Sequence, residues 1–422
     1  MGVRAAVAPL SSPSFRRYLA GQLPSVTCSW AQVVALSWVV LELDRRALGW
    51  VVTLQFLPSL VLGPWFGTMA DRHDRRRLLM LAESGLGLVA LAYAVASAAG
   101  VLAMPVIYVL AVAWGVINAL DTPARRALLP ALVTPERATS ASALAGTVLL
   151  LGMTAGSAIG ATMVATIGVS AAFAMNAASF LADVIILGTI QPRHASLTGR
   201  APRQIREGLR YVWHTAELRV PLLMLAVIGT LAFTIQVSVP ILIRGSFGGG
   251  PTLLGTAFAV VTGSSLAGAL IAAARGEPGR RALGIAAIIM AGSMTVTAAA
   301  PTVSVALTGL AGVGLAWSLV ITSVLAVLQR AEPAMLGRVM SLFAVVLLGS
   351  AAAGSPIASF VASSIGSRAP FALGAGAAVA AILITGVGSA RTKSYSWCRI
   401  GARTFVAGVS GRQQGRCCEH GR

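Results

Sequence analysis

The chain is 422 residues long, 56% hydrophobic and only 11% charged, with a mean hydropathy of +0.82. A soluble domain carries about 25% charged residues, so this composition excludes a water-soluble globule and points to a polytopic membrane protein. The net charge of +19 sits in short segments between apolar runs and forms no separate basic domain, which argues against nucleic acid as a partner.

The apolar runs are long and continuous. That suits helical spans of roughly 20 residues, not the ~10-residue alternating segments of a membrane barrel. Residues 1–18 are polar and basic and lead without a small-residue cleavage site into the first run, so they read as a cytoplasmic N-terminal segment before an uncleaved helix. Spans are predicted at 19–41, 50–70, 78–99, 103–120, 139–165 and 169–190, giving a first bundle over 19–190. Residues 191–219 carry six arginines and read as a cytoplasmic linker, helical from 203 to 219. A second bundle over 220–390 is predicted with spans at 220–243, 252–274, 281–300, 302–328, 338–364 and 369–390. Residues 391–422 are expected to form a disordered cytoplasmic tail.

With both termini on one side, all but four of the 32 Lys and Arg residues fall on that side; the exceptions are Arg45, Arg46, Arg244 and Arg368. Cytoplasmic loops attract Lys and Arg, so the termini are expected in the cytoplasm. An odd number of spans would break the asymmetry. The expected fold is therefore all-α, with twelve transmembrane helices in two pseudo-symmetric six-helix bundles.

The halves echo each other. Gly168 and Phe173 correspond to Gly366 and Phe371, Arg137 and Ser140 to Arg338 and Ser341, and Arg75-Arg76 to Arg280-Arg281. Parallel six-helix repeats are one known way to build an alternating-access carrier.

The most informative stretch joins spans two and three. Six of the seven residues from Asp71 to Arg77 are charged, whereas residues 50–66 carry no charge and residues 78–104 only Glu83. Gly67, Asp71, Arg72, Arg75, Arg76 and Leu79 stand at the places of the Gly-x-x-x-Asp-Arg-x-Gly-Arg-Arg-x-x-Leu loop, with Asp74 in place of the second glycine. In this the chain resembles the major facilitator superfamily. Four further stretches resemble its branch of exporters that includes macrolide efflux proteins and enterobactin exporters: Phe15–Gln22, Asp121–Pro130 with Arg125, Glu207–Val212 and Gly337–Leu342 with Arg338. Two features depart from the antiporter pattern. Ser157 stands where span five usually has proline, among Gly152, Gly156 and Gly160, and span four lacks the arginine-centred motif.

The resemblance implies that Asp71 and Arg75 form a charge network with Asp121 at the inner end of span four, a breakable latch between the halves in the outward-open state. Gly67, Arg72, Arg76, Arg125 and Arg338 belong to the same expected gating set. It also implies a central cavity lined by spans one, four, seven and ten, which offer Gln22, Ser25, Ser29, Trp30 and Gln32, Trp114 and Asn118, Gln236, and Trp317 and Thr322. Uncharged polar groups among aromatics suit amphipathic molecules. The halves of such carriers rock along spans two and eleven and spans five and eight. Gly152, Gly156 and Gly160 in span five and Gly349 and Gly354 in span eleven are expected to let helices approach closely there.

An acid inside a span is a functional suspect by default. Asp183 in span six and Glu83 in span three are the acids well inside spans, and are candidates for proton coupling; the alternative is a helix-end acid paired with a nearby arginine. No Walker loop, HExxH or GxSxG is present, no metal site is expected at Cys417-Cys418-Glu419-His420, which lacks CxxC spacing, and no cofactor is implied. The expected protein is not an enzyme. It is a monomeric secondary exporter of hydrophobic or amphipathic small molecules (a drug, natural product or siderophore) in the bilayer of a bacterial plasma membrane, exchanging them for protons. A metabolite importer would carry a charged cavity residue matched to its substrate, and none is visible. A non-transporting sensor or assembly partner would be free to lose the gating loop, which is nearly intact.

Overall fold

The computed structural model describes residues 7–191, 204–275 and 280–383, with no strand among them. The expected tail at 391–422 and residues 192–203 of the expected linker lie outside the described residues. Six helices form the first half: α1 Pro13–Leu43, α2 Leu48–Arg72, α3 Arg75–Ala98, α4 Met104–Leu128, α5 Ala138–Thr166 and α6 Val169–Gly188. A short amphipathic helix, α7 Gln204–His214, precedes α8 Ala216–Leu231, α9 Ile235–Phe247, α10 Pro251–Arg275, α11 Arg280–Ala299, α12 Val303–Leu328, α13 Pro333–Ser364 and α14 Ala369–Leu383. With α8 and α9 taken as one interrupted span, eleven described helices are long and apolar enough to cross a bilayer, and the shorter α14 stands where the twelfth is expected. This is a twelve-helix architecture.

Local chemistry sets the boundaries. The Ser12 hydroxyl accepts the Phe15 amide at 3.5 Å, and Pro13 fills the first turn of α1. Gly168 turns the chain from α5 into α6 with φ +107°, and Gly366 does so before α14 with φ +137°, conformations open to glycine. These two positions correspond in the repeat. So do Phe173 and Phe371, both fully buried.

Three boundaries differ from expectation. Span four does not end near residue 120: α4 continues through Pro123 to Leu128, because Asp121 pairs with Arg125 one turn on and Arg125 is held by Glu83 of α3. Span seven is not continuous: the helix breaks over residues 232–234, where the Phe233 amide bonds Ile228 O at 2.9 Å and the Thr234 and Ser238 hydroxyls pair at 2.8 Å. The helix expected over 203–219 is two helices meeting at Thr215.

Small residues set helix packing. A side chain at Gly152 would sit 2.9 Å from Val26 Cγ1 and one at Gly160 2.5 Å from Ala31 Cα, while Gly156 abuts the Thr27 carbonyl. The stripe on α5 thus seats α1 within the first half, and not the α5–α10 contact expected for it. That contact is made by Gly255 against Ser157 and Ala161. Gly354 abuts the Thr230 carbonyl of α8, within the second half, and Gly349 lies across the halves from Leu60, at 3.7 Å.

The halves meet at the end remote from the basic loops. There the Thr53 hydroxyl donates to Ala352 O at 2.9 Å, the Ser359 hydroxyl donates to Arg46 O at 2.9 Å, and Gly49 leaves no room beside Ser355 O. Arg244 of α9 lies over the Trp38 ring of α1, 5.1 Å from its centroid. Toward the basic end a Cβ added at Gly63, Gly67 or Gly146 would meet nothing within 4 Å.

Candidate functional site

The α2–α3 turn is built by its charges. Asp74 caps α3, its carboxylate accepting the amides of Arg76 at 3.0 Å and Arg77 at 3.3 Å. This gives the aspartate at the second-glycine position a structural reason. Arg76 Nε donates to Leu187 O at 2.7 Å and its Nη2 to Gly188 O, satisfying carbonyls at the end of α6. Arg75 Nη1 donates to Ala127 O near the end of α4 at 3.3 Å. Arg72 is exposed, and the Asp71 side chain lies outside the described set.

The pairing of Arg75 with Asp121 is not the arrangement found. Asp121 faces Arg125, one helical turn on, which donates Nε to Oδ2 at 3.3 Å and Nη2 to Oδ1 at 3.1 Å. A partner on the same helix at i+4 is already in place, whereas Arg75 enters from the end of the bundle. Arg125 Nη2 also contacts Glu83 of α3 directly and lies 3.9 Å from Asp183 of α6. Tyr18 of α1 lies beside the same guanidinium. The two acids singled out in spans three and six therefore converge on one arginine, together with Asp121. Gly21 permits this, because any side chain there would collide with the Asp183 carboxylate.

A buried polar ribbon leads away from this cluster between α1 and α6. On α1, Tyr18, Gln22, Ser25, Ser29 and Gln32 recur every three or four residues; on α6, Asn176, Ser179 and Asp183 do the same. Asn176 donates to Gln32 Oε1 at 2.9 Å and accepts from Ser29 at 3.3 Å and from Ser179 at 3.3 Å. Gln22, Ser25, Ser29 and Gln32, expected in the cavity, thus lie on an α1 face whose observed partner is Asn176, inside the first half.

The remaining expected cavity residues separate. Trp114 packs into the apolar core of the first half, and Asn118 is half-buried one turn from Asp121. Gln236 is half-buried at the start of α9, and the Thr322 hydroxyl bonds to Ser318 O of its own helix at 2.8 Å. Trp30 and Trp317 each enter an aromatic pair, the first across the two halves and the second inside the second half. Trp30 stands edge-on to Phe258 of α10, with centroids 6.1 Å apart, and Trp317 stacks on Phe233 at 3.9 Å and 7°. All four rings adjoin one apolar cluster. Phe233 and Phe258 escape sequence reading because phenylalanine in a span is ordinary. The signal for Phe233 is the break in span seven, and only Thr234 and Ser238 at i, i+4 hint at it. Arg338 pairs with Glu207 of α7 at 3.0 Å, tying the linker helix to α13, and takes no part in the Arg125 cluster.

Two helical bundles with their arginines gathered at one end have the architecture of a membrane carrier. The chain belongs to the family described as transmembrane secretion effector, a branch of the major facilitator superfamily, whose model matches residues 4–397. Among relatives, an uncharacterized major facilitator-type transporter of Bacillus subtilis is 29% identical over 276 residues, covering 61% of this chain and 62% of that protein. The multidrug efflux pump Tap of Mycobacterium tuberculosis is 30% identical over 205 residues, covering 44% of this chain and 48% of that protein. Both matches thus span less than two thirds of the relative's own length. In fold, the chain is similar to a D-xylose-proton symporter, with TM-score 0.69 at 15% identity over 89% of this chain and 97% of that one. By family and by its spans, the protein is a multi-pass membrane protein of a transporter superfamily.

Proposed function

We propose that the protein exports hydrophobic or amphipathic small molecules from the cytoplasm in exchange for protons. The observation that carries this reading is a pair of aromatic contacts, Trp30 with Phe258 across the two halves and Trp317 with Phe233 beside the interrupted span, with no charged side chain among the four rings. Interrupted spans mark substrate sites in carriers. Aromatic and uncharged polar walls bind apolar bodies with a few orienting contacts. The likeness to a multidrug efflux pump supports the outward direction.

The skew of arginines to one end supports cytoplasmic termini in a bacterial plasma membrane. On that orientation the contacts at Gly49, Thr53, Ser359 and Trp38 close the outer ends, as in an inward-facing carrier. Asp71 and Arg75 act on closing the inner end, and a single chain encloses the whole path. The test is efflux of ethidium and a panel of antibiotics from cells expressing the protein, with and without a protonophore. Protonophore-sensitive efflux is expected. Uptake in place of efflux would establish an importer, and efflux indifferent to the protonophore would refute antiport.

A further inference from the structure

We propose that Glu83 and Asp183 form the binding site for the coupling proton, with the Asp121–Arg125 pair as its fixed counter-charge. This rests on the antiport reading above and names the site that serves it.

Count the charges that converge. One guanidinium, Arg125, faces three carboxylates from three helices. Asp121 uses both of its oxygens on Arg125, at 3.1 and 3.3 Å, and is the arginine's bidentate partner. Glu83 touches the same guanidinium through Oε1 alone, and Asp183 stands 3.9 Å off. Glu83 Oε2 and Asp183 Oδ2 are buried and take no hydrogen bond from any described residue. With the Asp121–Arg125 pair neutral, two further carboxylates share a site where Glu83 is 0% and Asp183 2% exposed. Both draw on the field of one guanidinium that Asp121 already engages, and a proton shared at this site would offset the surplus negative charge.

Among the described residues no second cation is seen to reach these two carboxylates, and Arg126 of α4 is exposed. From α1 comes the Tyr18 hydroxyl, and α5, which packs on α1, has no charged side chain among its residues 138–166. On α3, Arg75 and Arg76 turn to backbone carbonyls of α4 and α6, and on α1 Arg17 donates to Thr189 O. At the end of α2, Arg72 is exposed. The surplus charge is therefore balanced by a proton.

The site also has two openings. Toward the basic end, Arg125 and Asp121 keep side-chain exposures of 20% and 12%, an exit for a proton released there. In the other direction the ribbon Ser179, Asn176, Ser29 and Gln32 runs along the α1–α6 seam. Gln22, whose buried Oε1 is also unpartnered, stands one turn from Tyr18 on the same face of α1. No covalent step is involved: a proton adds to one carboxylate from one side of the membrane and leaves to the other.

The test uses the full-length protein. Infrared difference spectra across a pH step should show the carbonyl band of a buried protonated carboxyl, lost in Glu83→Gln or Asp183→Asn. In proteoliposomes the same variants should lose protonophore-sensitive ethidium transport but keep downhill ethidium exchange, which needs no proton. Glutamine and asparagine keep shape while removing surplus charge; if one variant fails to insert, the other answers the same question. Bands unchanged in both variants, with wild-type transport still protonophore-sensitive, would overturn this site and leave antiport standing. Wild-type transport indifferent to the protonophore would instead overturn antiport, and the coupling role with it.

Discussion

Gly49 is the position where one methyl group should redistribute the whole molecule between its two arrangements. A Cβ there would lie 2.5 Å from Ser355 O, 2.6 Å from Ser359 Cβ and 3.0 Å from Pro356 Cα, and two of those three atoms are backbone. Neither α2 nor α13 can yield a backbone atom by a rotamer change, so Gly49→Ala must push the helices apart at the closed end. Overpacking of this kind costs about 1–3 kcal/mol. The clash exists only while that end is closed, so the cost falls on one arrangement. The equilibrium should shift roughly 5- to 150-fold toward the arrangement closed at the basic end. The assay is the spin-label distance between cysteines placed at Thr68 on α2 and Ser341 on α13, with Cys398, Cys417 and Cys418 replaced by serine; Cys28 is buried. The short-distance population should rise in Gly49→Ala. Thr53→Val, which loses one hydrogen bond to Ala352 O, should shift it the same way by about 1 kcal/mol or less. A distance distribution unchanged in a folded Gly49→Ala protein would refute the argument that this contact holds the end shut.

Asp74→Ala should remove the cap of α3 and lower stability by about 0.5–2 kcal/mol, read as a lower melting temperature in detergent, whereas Asp74→Gly should cost only a few tenths. Equal losses in the two variants would show that the cap is not the reason for the aspartate. Trp317→Ala breaks the stack on Phe233, worth about 0.5–1.5 kcal/mol beyond area, and should raise the apparent KM for ethidium efflux several-fold while Trp317→Phe restores most of it. An unchanged KM in Trp317→Ala would remove this aromatic pair from the substrate path.

Sequence alone determined the class and the count of spans. Apolar runs with charge confined to their ends admit only spanning helices, because a bilayer leaves no other way to pair the backbone. The repeat was also visible, since Gly168 and Gly366 make the same turn and Phe173 and Phe371 fill the same buried place. Spacing could not tell where a polar residue on a buried helix points. Gln32 and Ser29 read as cavity-facing, yet a partner from α6, Asn176, takes their hydrogen bonds. Glu83 and Asp183, 100 residues apart, carry no mark of being neighbours until α3, α4 and α6 are packed. The same holds for the stripe Gly152, Gly156 and Gly160: small residues announce a close helix, and only the assembled bundle shows that the helix is α1. Burial and periodicity are properties of one segment at a time, whereas the partner of a side chain belongs to the whole fold. The gathering of three acids around Arg125, the break at Phe233 and the closed end beside Gly49 were therefore decided by tertiary packing.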